Sequence, residues 1–119
     1  MAIHNELGKK GEQIAVDFLV EKGFTIVERN YRFQKAEVDI IARKDELLLA
    51  VEVKTRSSID FGDPQDFINS KKIKLLLSAI DYYVVEKNLD IEVRFDVIAV
   101  VIDKSKTVIE HIEDAFLYF

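Results

Sequence analysis

Apolar residues near the start of the chain recur at helical spacing. Leu7, Ile14, Ala15, Phe18 and Leu19 fall on one side of a 3.6-residue turn, and the pattern stops at Gly23. This spacing predicts a helix over residues 6–22 with Asn5 as its N-cap. The period then changes. Residues 24–33 are rich in aromatic and β-branched side chains, residues 37–43 alternate, and residues 47–55 run almost continuously apolar before turning polar. Three successive strands follow from this. The link Lys44-Asp45-Glu46 is short and polar, so the second and third strands form an antiparallel hairpin.

Beyond residue 56 the chain holds the Ser, Asp and Gly of a loop, and Asp63-Pro64 reads as a cap followed by proline at the first helical position. Ile73, Leu76, Leu77, Ile80 and Val84 mark one helical face ending around Asn88, with a break at Asn69-Ser70 left open. Residues 94–102 are a strong strand and 107–112 a weaker one. The aromatic tail Phe116, Tyr118 and Phe119 is expected to pack against something. The order helix, three strands, helix, two strands predicts an α/β fold, with a mixed central sheet of about five strands flanked by helices in two or three layers.

At 119 residues the chain is one domain long, and with 49% hydrophobic and 33% charged residues its balance is globular. No apolar run approaches the roughly 20 residues that span a membrane, and residues 1–6 lack the marks of a signal peptide. A cytoplasmic protein without membrane partners is therefore expected. The absence of cysteine removes disulfides, thiolate zinc sites and thiol nucleophiles together, and His4 and His111 are too few for an imidazole-rich site. Carboxylates and a hard cation, Mg²⁺ or Mn²⁺, remain. The net charge of −5 opposes avid nonspecific binding to nucleic acid, yet the cations cluster locally, at Arg29 to Lys35, Lys54 to Arg56, and Lys71-Lys72 with Lys74.

Candidate chemistry centres on Val51-Glu52-Val53-Lys54. Alternation puts Glu52 and Lys54 on one face with Leu48 and Ala50, and Val51 and Val53 on the other. An acid and an amine leaving a buried strand require a partner, solvent or a metal. An ion pair at the sheet margin is the structural alternative. In the preceding strand Asp39 shares a face with Glu37 and Ile41, opposite Val38, Ile40 and Ala42, and pairing through a turn centred near Asp45 places it across from Val51 or Glu52. Two carboxylates then converge, and their repulsion is relieved by a raised pKa or by a divalent cation. Asp39 and Glu52 are the expected metal ligands, with the Val53 carbonyl as a third oxygen. Lys54 is placed to orient water or offset phosphate charge. Glu12 falls at the margin of the first helix's apolar face, where it either faces the sheet or is solvated. Gly8 and Gly11, each costing about 1 kcal/mol inside a helix, suggest close approach of a backbone or phosphate.

An acid in the first helix, then Asp39, then Glu52-Val53-Lys54 on a hydrophobic hairpin, resembles the PD-(D/E)xK nuclease superfamily. Gly8, Gly11-Glu12, Arg29-Asn30-Tyr31-Arg32, Glu37-Val38-Asp39-Ile40-Ile41, Val51 to Arg56, Gly62-Asp63-Pro64, Lys71 and Arg94-Phe95-Asp96-Val97 resemble the uncharacterised bacterial YraN-like family, itself similar to archaeal Holliday-junction resolvases. The resemblance spans nearly the whole chain. It implies a restriction-endonuclease-like fold, a metal-dependent phosphodiesterase site with Glu12, Asp39, Glu52 and Lys54 as its acidic and lysine positions, and a homodimer.

Nucleic-acid contacts are expected from Arg29, Tyr31 and Arg32, which mix cations with an aromatic ring, and from Arg56, Lys71 and Lys72. Packing aromatics and ordinary surface lysines are the plain alternatives. Asp96 reads as a structural acid paired with Arg94 or Arg56. Three functions remain open: an endonuclease acting on branched or structured DNA, a nucleic-acid-binding module without turnover, and an interaction protein with a solvated acidic surface.

Overall fold

Helix α1 (Ala2–Glu21) is followed by strands β1 (Thr25–Phe33), β2 (Ala36–Lys44) and β3 (Leu47–Arg56), helix α2 (Ser70–Glu86), and strands β4 (Glu92–Ile102) and β5 (Thr107–Ile112). The computed structural model describes residues 2–57, 69–104 and 106–115. The expected Asp63-Pro64 cap and the aromatic tail at 116–119 lie outside them. The strands form one five-stranded sheet in the order β1-β2-β3-β4-β5. Hairpin links make β1, β2 and β3 antiparallel, the α2 crossover makes β3 and β4 parallel, and β5 returns antiparallel to β4. The sheet is mixed, as the element order predicts.

Each helix covers one face. Ala15, Val16 and Leu19 of α1 pack on Ile40, Ala42, Leu49, Val51, Ile98 and Val100. Ile73, Leu76, Ala79, Ile80 and Tyr83 of α2 pack on Val38, Ile41, Leu48, Ala50, Phe95 and Val97. Three layers result. Among the described residues no helix is long and apolar enough to cross a membrane.

Local chemistry sets the helix ends. At Gly23 (φ 97°) the Phe24 N–H donates to the Leu19 carbonyl and the Gly23 N–H to the Val20 carbonyl, both at 3.0 Å. Phe24 then packs into the same core as Leu19. Asn88 (φ 54°) ends α2 in the same way, its N–H reaching Val85 while the Leu89 N–H reaches Val84. At the other end of α2 the Asn69 side chain accepts from the Lys72 N–H at 2.9 Å, so this helix starts at the position the sequence left open as a break. The assignment of Asn5 as a cap is corrected. Helix α1 already runs from Ala2, which puts Asn5 inside it.

The alternation of β2 also needs correction. Val38 joins Ile41 on the α2 face while Ile40 and Ala42 face α1, so the period-two pattern breaks at Asp39. Strand β1 keeps its register past this level, pairing Arg29 with Ile40 and Tyr31 with Val38 so that Asn30 stands across from Asp39, and the register shift between the two strands lies at Ile26/Glu28. Asn30 has φ 53°, a left-handed conformation that asparagine tolerates better than most residues. Pairing between β2 and β3 runs from Lys44↔Leu47 to Ile40↔Val51 and stops there. Beyond that point the sheet forks.

Candidate functional site

The fork has a definite cause in the hydrogen-bond ladder. In the β2/β3 register the Val53 N–H would meet the Val38 carbonyl if pairing continued. It instead donates to Asp39 Oδ2 at 2.8 Å. The Asp39 carboxylate therefore lies in the plane of the sheet, between the separating strands. The N–H and carbonyl of one strand residue point to the same side, so the Val53 carbonyl faces the same gap.

Leu7, Gly8, Glu12, Asp39, Glu52, Val53, Lys54, Thr55, Arg56 and Lys72 line a cleft of about 370 Å³ at this fork. Alternation of β3 brings Glu52 and Lys54 to it beside Leu48 and Ala50, as the sequence predicts. Helix α1 brings Glu12 from the other face, held by Asn30 Nδ2 at 3.2 and 3.4 Å from its two carboxylate oxygens. Gly11 allows this approach. A Cβ built there would sit 2.7 Å from Thr55 Cγ2 and 2.8 Å from Thr55 Cβ, so only glycine lets α1 lie this close to β3. A Cβ on Gly8 meets nothing within 4 Å, so packing does not explain that glycine.

Electrostatics here are tense. Glu52 is 4% exposed, and its Oε2 is paired with Lys54 Nζ at 3.6 Å and with Lys72 Nζ. Burial, the negative charge of Glu52 and a hydrogen bond shared with it push the Asp39 carboxyl up to about 8, against the Val53 N–H, which favours its ionised form. Burial and the neighbouring Lys72 lower the Lys54 ammonium, although Glu52 pulls it up. Burial works against the charge on Lys72, but its hydrogen bond to Glu52 and the charge of that carboxylate raise it overall.

The donor chemistry fits a hard cation. Among the described residues every candidate ligand in the cleft is oxygen, and neither imidazole nor thiol borders it. Among the described residues no three His, Cys, Asp or Glu side chains form a ready cage. Two carboxylates and a carbonyl suit Mg²⁺, which keeps several waters and needs few protein ligands.

The sequence of the chain matches the model of the uncharacterised protein family UPF0102 over residues 11–100. It is 59% identical to a UPF0102 protein of Christiangramia forsetii over the full length of both chains. The chain belongs to the UPF0102 family. It is also 57% identical to a UPF0102 protein of Flavobacterium psychrophilum, again over both full lengths, and 44% identical to one of Phocaeicola vulgatus, covering 98% of this chain and 96% of that relative. The stretch matched by the UPF0102 model takes in Glu12, the β2/β3 hairpin and Lys72.

The other candidates divide. Of the expected nucleic-acid residues, Arg56 and Lys72 line the cleft of this UPF0102 chain, and Lys71 is exposed beside them in the first turn of α2. Arg29, Tyr31 and Arg32 do not line it. Arg29 donates to Gln13 Oε1 at 3.0 Å, Arg32 is 77% exposed and paired with Glu37, and the Tyr31 ring packs edge-on against Tyr83 at 5.3 Å. Asp96 is fully buried beneath α1. It accepts from Arg94 Nε and Nη2 at 2.9 and 3.0 Å and from the Asp114 N–H at 3.0 Å, and contacts His111 Nε2 at 2.7 Å, so its cationic partner is Arg94 rather than Arg56. Two roles were missed in the sequence. Asn30 orients Glu12, and an asparagine amid strand residues was the available signal. Lys72 neutralises Glu52, which nothing local to either residue announces.

Proposed function

We propose that this UPF0102 chain is a Mg²⁺- or Mn²⁺-dependent endonuclease of the PD-(D/E)xK superfamily that hydrolyses phosphodiester bonds in branched or otherwise structured DNA. The observation that carries the reading is the convergence of Asp39, Glu52, Val53 and Lys54 on the fork where β2 leaves β3. Paired buried carboxylates beside a lysine are costly to maintain without a charged ligand. The restriction-endonuclease-like order of elements and the resolvase-like sequence supply the substrate class, an inference by analogy.

In this reading Asp39, Glu52 and the Val53 carbonyl hold the cation, and Glu12 adds negative charge from the α1 side. When bound, the cation polarises a phosphoryl oxygen and makes water more acidic. Lys54, partly desolvated at the cleft floor, orients the attacking water or balances charge gathering on the phosphate. Arg56 and Lys72 offer cations to flanking phosphates. In the hydrolysis a water oxygen bonds to phosphorus as one P–O ester bond breaks. One proton leaves the water and the departing oxygen gains one.

The test is incubation with labelled junction, flap and linear duplex DNA in Mg²⁺ or Mn²⁺. Cleavage is expected, lost on chelation and reduced at least about a hundredfold by Asp39→Asn or Glu52→Gln. No cleavage of any substrate, or cleavage indifferent to both substitutions, refutes the proposal. The ion pairs that already neutralise Glu52 favour a second reading, a DNA-binding module without turnover. Salt-sensitive DNA binding without metal-dependent hydrolysis would select it. The resolvase likeness also proposes a symmetric pair of copies acting on two strands. Sedimentation as a monomer at working concentration would remove that element.

A further inference from the structure

Two ammonium groups converge on a single carboxylate oxygen at the fork. Lys54 Nζ and Lys72 Nζ both contact Glu52 Oε2. The lysines are not equivalent. Lys54 stands two residues from Glu52 on the same strand, so β3 itself fixes it there, and its side chain is 22% exposed. Lys72 reaches in from the first turn of α2 on a flexible four-carbon stem, with 36% of its side chain exposed. That turn is an unfavourable place for a cation, because the helix dipole is positive there. The attraction of Glu52 is what compensates.

We propose that Lys72 is an internal counter-cation that occupies Glu52 in the metal-free protein and leaves when a divalent cation binds, turning its ammonium toward a phosphate of the substrate. This rests on the metal site of the preceding section and adds a regulatory link to it. A carboxylate oxygen closely held by an ammonium has little charge left for a metal. A divalent cation must therefore compete with Lys72, and an anion that draws Lys72 away assists the metal. Metal and polyanion then bind with positive coupling, which is reciprocal by thermodynamic linkage. Metal held only weakly without DNA becomes firmly held with it.

The experiment measures Mn²⁺ affinity without DNA, by electron paramagnetic resonance of free Mn²⁺, for the native chain, Lys72→Met and Lys72→Arg. Lys72→Met is expected to bind Mn²⁺ at least about fivefold more tightly, the scale of a half-exposed ion pair, and Lys72→Arg close to the native value. In parallel, acylation of lysines in the native chain is followed by mass spectrometry with and without saturating Mg²⁺, a readout that needs no variant to fold. Lys72 should become several-fold more reactive with Mg²⁺, while exposed Lys74 on the same helix stays constant. Unchanged or weaker Mn²⁺ affinity in Lys72→Met, or Lys72 acylation indifferent to Mg²⁺, overturns the counter-cation role and leaves the metal site standing. Absence of Mn²⁺ binding in every form at millimolar concentration overturns the metal site, and this inference with it.

Discussion

Replacing Asp39 by Asn should stabilise the metal-free protein while abolishing its response to divalent cations. The Asp39 carboxyl is held up to about 8, by burial first and by Glu52 second, whereas in the unfolded chain it titrates near the ordinary value of 3.8. Between those values the native state carries a proton that the unfolded state has released. Stability therefore falls as pH rises through this window, and the full cost is present above it. The distance from 3.8 to about 8 would correspond to at most ~6 kcal/mol, at ~1.4 kcal/mol for each tenfold change in acidity. The cleft opens to solvent, so about 2–3 kcal/mol is the expected effect. Asn is neutral throughout, still accepts from the Val53 N–H, and can donate to Glu52. In urea unfolding with chelator at pH 8.5, Asp39→Asn should exceed the native chain by that amount, equivalent to roughly 6–15 °C in Tm for a domain this size. The difference should shrink toward zero near pH 4. Mg²⁺ should then raise the native Tm and leave the variant unmoved. A variant less stable than the native chain at pH 8.5, or native stability that does not fall between pH 5 and 8.5, would refute the reasoning.

The two glycines of α1 should respond in opposite ways. Gly8→Ala enters open space and should gain up to about 1 kcal/mol of helix propensity, whereas the Cβ of Gly11→Ala would meet Thr55 and should cause a net loss on the order of 1 kcal/mol, recovered in part by Thr55→Ala. Thermal melts that rank Gly11→Ala above Gly8→Ala would contradict the close packing of α1 on β3. Burial opposes the charge of Asp96, but hydrogen bonds from His111, Arg94 and the Asp114 N–H outweigh it and lower its pKa. Its stabilisation should be complete above about pH 4 and lost as pH falls further. Asp96→Asn should cost about 1.5–3 kcal/mol at neutral pH by taking from Arg94 its buried charged partner while Glu113 remains beside it. Denaturant curves at pH 7 and pH 3 test both points, and an Asp96→Asn protein of native stability at pH 7 would overturn the assignment.

Much of this architecture is legible in the linear pattern. The short polar link at residues 44–46 identifies the β2/β3 hairpin, and strict alternation in β3 correctly pairs Glu52 and Lys54 with Leu48 and Ala50. The same rule fails in β2. Alternation assumes an unbroken ladder, and at Asp39 the side chain replaces a backbone acceptor, so the strand changes face across that residue. Asn30 shows in the sequence only as an asparagine amid strand residues, and its left-handed backbone gains meaning only opposite Asp39. Lys72 reads as a surface cation at an unfavourable helix position until α2 is placed against β3. Then it becomes the partner of a buried acid. Asn5 shows the reverse error. A good local cap signal was overridden because the helix continues past it to Ala2. Local periodicity thus located the elements, while the site lies where that periodicity is interrupted.

We propose the fork between β2 and β3 as a hard-cation site. Crystals of the native chain soaked in millimolar Mn²⁺ and measured at the manganese absorption edge test it most directly. An anomalous peak bounded by the Asp39 and Glu52 carboxylates and the Val53 carbonyl is expected, absent in Glu52→Gln. A peak elsewhere, or none at full soaking concentration, would contradict it.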